Sequence, residues 1–179
     1  IGCGEGFYSR KLQESHSDKT FYAFDISKDS VQIAAKSELN WSVNWFVGDL
    51  ARLPIKDASI LLDIFSPANY GEFSRVLSKD GILIKVIPTE NHLKEIRQRV
   101  QDQLTNKDYS NQDIKEHFQE YFSIQSSQIA SLTKPITAEQ RQALLSMTPL
   151  LFHVDQTKID WSQLTEITIE AEILVGKAL

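Results

Sequence analysis

The sequence predicts an α/β domain with a mostly parallel sheet, and three observations predict it. Strand-patterned and helix-patterned segments alternate along the chain, a glycine-rich turn stands directly before the first helix, and an aspartate stands at the tip of each of the next two strands. The 179 residues are 41% hydrophobic and 24% charged, enough apolar material for one ordinary core, with no internal repeat or low-complexity linker. One domain over residues 1–179 is expected.

Each element has its own warrant. Gly6 to His16 carries Phe7, Tyr8 and Leu12 at helical spacing, which predicts the first helix. Phe21 to Asp25 is aromatic and apolar, a strand, and Ser27 is placed to cap a helix through about Ser37 with Val31, Ile33, Ala34 and Ala35 inside. Val43 to Val47, Ile60 to Phe65 and Ile82 to Ile87 are strand-like, with a helix over Tyr70 to Leu77 and a Lys79-Asp80-Gly81 turn ahead of the last strand. From Asn91 to Leu104 a helix is predicted, because Leu93, Ile96, Val100 and Leu104 fall on one face with charges opposite. A short helix is expected within 105–118, a strand over Tyr121 to Ile129, a helix over Thr137 to Met147 capped by Thr137, and a last strand over Thr165 to Val175. An antiparallel strand is expected near the C-terminus.

Composition narrows the function classes. The longest apolar runs are strand-length and broken by Asp or Lys, too short to span a bilayer. The single cysteine, Cys3, excludes an internal disulfide and a four-cysteine zinc site, and the four histidines are scattered, so no metal is expected and a reducing cytoplasm fits. A net charge of −5 argues against this piece gripping a nucleic-acid backbone without local basic patches or another domain. The chain opens on Ile1 and not on Met, which suggests a fragment.

The chemistry concentrates at strand tips. Gly2, Gly4 and Gly6 in IGCGEG form a sharp turn whose amides open toward a ligand, where a β-carbon would block close approach and at least one positive φ is needed. Asp25, nineteen residues past Gly6, can accept two hydrogen bonds from ribose hydroxyls; its plainer role is capping the next helix. The spacing is GxGxG, not the GxGxxG of dinucleotide folds, which disfavours NAD. Gly48, Asp49 and Leu50 follow the next strand, where a carboxylate can accept an adenine amine. Together the three features make one pocket along successive strand tips, the usual ligand position in an open α/β sheet.

These segments, IGCGEG, FYAFDIS and GDLARLPI, resemble the first three motifs of the class I S-adenosylmethionine methyltransferases. More narrowly, DIFSPANYGEFSRVL, DGILIKVIPTENHLKEIR and LLSMTP resemble the RlmA-type 23S rRNA guanine-N1 methyltransferases. The resemblance implies a Rossmann-like fold with a mostly parallel seven-stranded sheet, S-adenosyl-L-methionine as cofactor, and 23S rRNA as substrate, with the oligomeric state left open and a homodimer as one option. It assigns Gly2, Gly4 and Gly6 to the methionine portion, Asp25 to the ribose, and Asp49 with Leu50 to the adenine, with Ile1, Ile26 and Ser66 completing the cofactor set. Ser66, Pro67, Ala68 and Asn69 would line the methyl end. Ser66, Pro67, Asn69 and Thr148 are the candidate catalytic residues, acting by positioning; no proton acceptor is named.

The departures from the family pattern carry expectations too. The family's opening strand is reduced to Ile1, so the natural protein is expected to extend upstream, where relatives carry a cysteine-rich zinc module. The segment between Asp57 and Asp63 is short, and Asp80 stands where relatives often have a second glycine. Asp63, mid-strand, is expected to be structural or exposed. His92, Lys94, Arg97 and Arg99 could meet RNA phosphates, although an ordinary solvated helix face is the better-supported reading. Trp41, Trp45 and Trp161 are expected to pack, and Met147 to pack on the cofactor side. The competing functions are a methyltransferase acting on a small molecule and a noncatalytic fragment that binds nucleoside.

Overall fold

The computed structural model describes residues 1–37, 42–104 and 109–179. Its elements are α1 (Phe7–Ser15), β1 (Phe21–Asp25), α2 (Lys28–Lys36), β2 (Val43–Val47), β3 (Ala58–Ile64), α3 (Tyr70–Val76), β4 (Leu77–Pro88), α4 (Lys94–Val100), α5 (Gln112–Gln119), β5 (Phe122–Pro135), α6 (Ala138–Met147) and β6 (Glu166–Ala178). The alternation is that of an α/β protein, as the sequence predicts. Strands β1 and β2 pair in parallel from Phe21 opposite Val43 to Asp25 opposite Val47. Strands β3 and β4 pair in parallel from Ile60 opposite Ile82 to Ile64 opposite Val86, in a sheet ordered β3-β4-β6-β5. Strands β5 and β6 run antiparallel: Ser123 meets Lys177, Ser127 meets Glu172, and Thr133 meets Thr168, partners descending as the first residues ascend.

Among the described residues the strands thus form two sheets, and residues 1–3 are bonded to both. The main-chain nitrogen of Ile1 donates to Leu62 O in β3 at 2.8 Å, and Cys3 N donates to Phe24 O in β1 at 2.8 Å. These three residues occupy the position of a strand between β1 and β3.

The chain divides into two compact units, the first made of Ile1–Val86, Phe118–Ser126 and Leu174–Leu179, the second of Ile87–His117 and Ser127–Ile173. In the first, Tyr70 is buried among Phe73, Phe118, Tyr121 and Phe122, with ring centroids 5.6 to 6.0 Å apart. Each such ring contributes about 1.5–3 kcal/mol by leaving water. Gly176 lets this cluster close, since a β-carbon there would stand 2.7 Å from Phe118 Cε1. In the second unit, Ile96, Val100, Leu151, Leu164 and Ile167 form the core, with Leu93, Leu104, Leu145 and Trp161 packed against it.

Four element expectations change. The Lys79-Asp80-Gly81 segment does not end one element and begin another; it lies inside β4 as a bulge, where the register shifts between Ala58 and Ile60. The helix expected from Asn91 is confined to Lys94–Val100 and continues as a 3₁₀ turn over Gln101–Gln103, because Leu93 has φ 55° and its amide is taken by Thr168 O at 2.8 Å. Its apolar face is as expected, with Ile96 and Val100 buried. Strand β5 runs on to Pro135, past the expected end at Ile129, and the helix expected within 105–118 lies at Gln112–Gln119; residues 105–108 lie outside the described residues. The caps hold: Ser27 Oγ accepts from Ser30 N, and Thr137 with Gln140 forms a reciprocal capping box.

Candidate functional site

The glycine turn is held in a conformation that only glycine adopts cheaply. Gly2, Gly4 and Gly6 have φ of 58°, 52° and 83°, so all three positions meet the requirement that the sequence suggests for at least one. A β-carbon on Gly2 would stand 2.9 Å from Ser66 Cβ and closer still to its hydroxyl. One on Gly6 would stand 2.9 Å from Trp45 Cζ3. Gly6 is therefore buried under an indole rather than open to a ligand, while Gly2 and Gly4 face a cleft of about 200 Å³.

Asp25 ties the turn to the tip of β1. Its Oδ2 accepts from Gly4 N at 2.8 Å and its Oδ1 from Ser27 N at 2.9 Å, leaving a second lone pair on each oxygen for hydroxyl donors. The carboxylate thus serves helix entry and keeps acceptor capacity, so its structural bonds do not exclude the sugar-acceptor reading. Its main-chain oxygen accepts from Gly48 N at 3.1 Å, which joins the β1 and β2 tips, and Ile26 beside it is 74% exposed.

Asp49 is exposed and accepts from Ala51 N at 2.9 Å, a tight turn that presents the rest of its carboxylate outward. Helix α3 fixes the segment that follows. Asn69 Nδ2 donates to Leu50 O at 3.0 Å while its Oδ1 caps the helix, and Glu72 accepts from Leu53 N at 2.5 Å and from Arg75, whose guanidinium in turn donates to Leu53 O. The Arg75 guanidinium holds the Glu72 carboxyl down at about 2. Asn69 is accordingly a bracket between helix and loop, with its amide already engaged. Sequence reasoning missed Glu72 and Arg75 because their target, Leu53, is nineteen and twenty-two residues away.

Ser66 is the member of the loop after β3 that meets the turn, through Gly2; Pro67 is exposed, and Ala68 and Asn69 are half-buried. The loop is secured from below by a buried pair. Lys85 Nζ bonds Asp63 Oδ2 at 2.8 Å and Ser66 O at 2.5 Å, with the Lys85 and Asp63 side chains 5% and 0% exposed. Burial pushes the Asp63 carboxyl up, against the opposing pull of Lys85. Asp63 is thus structural, as its mid-strand position suggests. The signal was present in ILLDI and ILIKV, two apolar strands each with one charge, but only the register that places Asp63 opposite Lys85 makes it legible.

The cleft brings together Ile1, Gly2 and Gly4 with Leu62, Ile64 and Phe65, and with Phe7 and Tyr8 from the first turn of α1. None of the last five was assigned to the site from the sequence. Thr148 belongs to the second unit, is 4% exposed, and donates its hydroxyl to Leu144 O at 2.6 Å. Met147 is 71% exposed, which corrects the expectation that it packs. Trp45 and Trp161 pack as expected, and Trp41 lies outside the described residues. The basic face of α4 is engaged within its own unit rather than merely solvated: Arg97 stacks on Tyr109 at 5.1 Å, Arg99 donates to Glu95 O and Gln163 O, and His92 meets Glu170 O. Among the described residues, no three His, Cys, Asp or Glu side chains are grouped to hold a metal, and no helix is long and apolar enough to cross a membrane.

Small residues at the turn and carboxylates on the next two strand tips suit a nucleoside bearing an amino acid. Comparison with known proteins agrees. Residues 1–81 match the family model described as methyltransferase domain. The chain is 32% identical to YxjB of Bacillus subtilis (strain 168), whose name provisionally assigns it 23S rRNA (guanine-N(1)-)-methyltransferase activity, over 98% of this chain and 64% of that protein. The chain thus spans under two thirds of that relative's length. It is 33% identical to the 23S rRNA (guanine(748)-N(1))-methyltransferase of Streptomyces fradiae, over 54% of this chain and 35% of that protein. Its fold matches a solved S-adenosylmethionine-dependent methyltransferase from Methanosarcina mazei with a TM-score of 0.60 and 15% identity, over all of this chain and 90% of that one.

Proposed function

We propose that the chain is a class I S-adenosylmethionine-dependent methyltransferase and that it serves to transfer a methyl group to N1 of a guanine in 23S rRNA. The observation that carries the substrate is the reach of the similarity. It runs past residue 81, where the general methyltransferase model stops, through 98% of the chain.

S-adenosylmethionine supplies an electrophilic methyl group on a sulfonium that departs neutral. The protein's part is then to hold, align and exclude water. Gly2 and Gly4 give the methionine end room, Asp25 accepts the ribose hydroxyls, and Asp49 beside Leu50 accepts the adenine amine. The Ser66–Asn69 loop presents the acceptor base, and its geometry is held by Lys85 through the Ser66 carbonyl. Guanine N1 carries a proton that must leave as the new bond forms, so the loop has to favour the deprotonated edge of the base. We further propose that residues 1–179 are the catalytic domain of a longer protein, with a zinc-binding module upstream.

The test is methylation of RNA from a strain that lacks the modification. Primer extension is expected to show a new stop at one guanine of 23S rRNA when the full-length protein and cofactor are supplied. Unaltered extension, together with methyl transfer to a small acceptor in the absence of RNA, would replace this reading with the small-molecule one.

A further inference from the structure

Phe65 stands out in the cleft on three independent counts. It is one of the few non-glycine residues in the left-handed region, at φ 52°, which costs an L-residue roughly 1–2 kcal/mol. Its ring is 46% exposed at the cleft wall, where a large apolar side chain gains little from burial. And its backbone is pinned on both sides: its own amide donates to Val86 O at 3.1 Å, and the next carbonyl, Ser66 O, is held by the buried Lys85–Asp63 pair. A strained conformation that the surroundings enforce, and that leaves a phenyl ring half exposed at a cleft, is of the kind that clusters at binding sites.

The ring has aromatic company at the same cleft. Phe7 and Tyr8, 60% and 50% exposed, form an edge-to-face pair with centroids 5.4 Å apart at the start of α1, directly after the glycine turn. The same cleft is lined by Gly2 and Gly4 of the turn, where the methionine end of the cofactor is read to lie. An exposed aromatic face at such a cleft fits a planar heterocycle, because stacking is available to every base and needs no hydrogen-bond partners.

We propose that Phe65, flanked by Phe7 and Tyr8, is the stacking platform for the acceptor purine, and that Lys85 and Asp63 are positioning residues that hold it there. The inference rests on the guanine-N1 reading and deepens it: the platform supplies orientation, while the loop from Ser66 to Asn69 meets the edge of the base. It also gives the strain at Phe65 a purpose, since an extended backbone at that position would carry the side chain elsewhere.

The experiment compares wild-type full-length protein with Phe65→Leu, Phe65→Trp and Lys85→Met, measuring kcat and KM for unmodified 23S rRNA and the Kd for S-adenosylmethionine by titration calorimetry. Phe65→Leu is expected to lower kcat/KM for RNA by about ten- to a hundred-fold, the range one base–aromatic stack is worth, with cofactor affinity within about threefold of wild type. Phe65→Trp is expected to restore most of that loss, which a merely structural role would not do. Lys85→Met should reduce kcat more than it raises the cofactor Kd. Equal RNA kinetics for wild type and Phe65→Leu would overturn the platform while leaving the guanine-N1 reading intact. A wild-type enzyme that modifies no guanine N1 would overturn both.

Discussion

Single residues set the shape of the turn. Gly2 combines a positive φ with a β-carbon position already taken by Ser66, so Gly2→Ala is expected to lower stability by about 1–2 kcal/mol and to weaken S-adenosylmethionine binding at least tenfold by calorimetry. Asp25→Asn keeps the shape but gives up an acceptor for a donor, and is expected to weaken the cofactor while leaving the unfolding midpoint within a few degrees. Glu72 provides the acid-sensitive contact. Its carboxyl is held at about 2 by Arg75, below its unfolded value, so its contribution is present above that unfolded value and is lost as pH falls through about 2. Glu72→Ala should cost about 1–3 kcal/mol by orphaning the Leu53 amide, and should flatten the acid limb of a stability–pH curve. Asp63 acts with the opposite sign: its carboxyl is raised, so its ionisation opposes folding as pH climbs through the unfolded value toward the folded one.

Elements show which features a sequence can disclose. Strands β1 and β2 coincide with the predicted spans, and α1, α2 and α6 begin where their glycine or hydroxyl caps place them, because each is specified by neighbours within a few positions. The glycine turn, Asp25 and Asp49 were legible for the same reason. What was not legible is what depends on register. Asp63 opposite Lys85, Phe65 driven into the left-handed region, and α3 reaching back to Leu50 and Leu53 all join positions about twenty residues apart. The buried pair has a measurable signature. Lys85→Met alone is expected to destabilise by about 3–5 kcal/mol by stranding a carboxylate, and Asp63→Leu combined with Lys85→Met to recover most of that in denaturant melts. Activity should not recover with it, since the Ser66 carbonyl stays unanchored.

At the scale of the molecule, residues 1–3 are bonded to both sheets. The main-chain nitrogens of Ile1 and Cys3 donate to Leu62 O of β3 and Phe24 O of β1. The turn proposed to cradle the nucleoside begins in those same residues. A ligand seated there would press on residues bonded to both ladders, so its binding would tighten β1 and β3 together. Amides of β1 and β3 that never approach the nucleoside should therefore exchange with deuterium more slowly once it is added. At a hundredfold excess over its Kd that protection is worth about 2.7 kcal/mol, spread over both sheets and not confined to the loop that is touched.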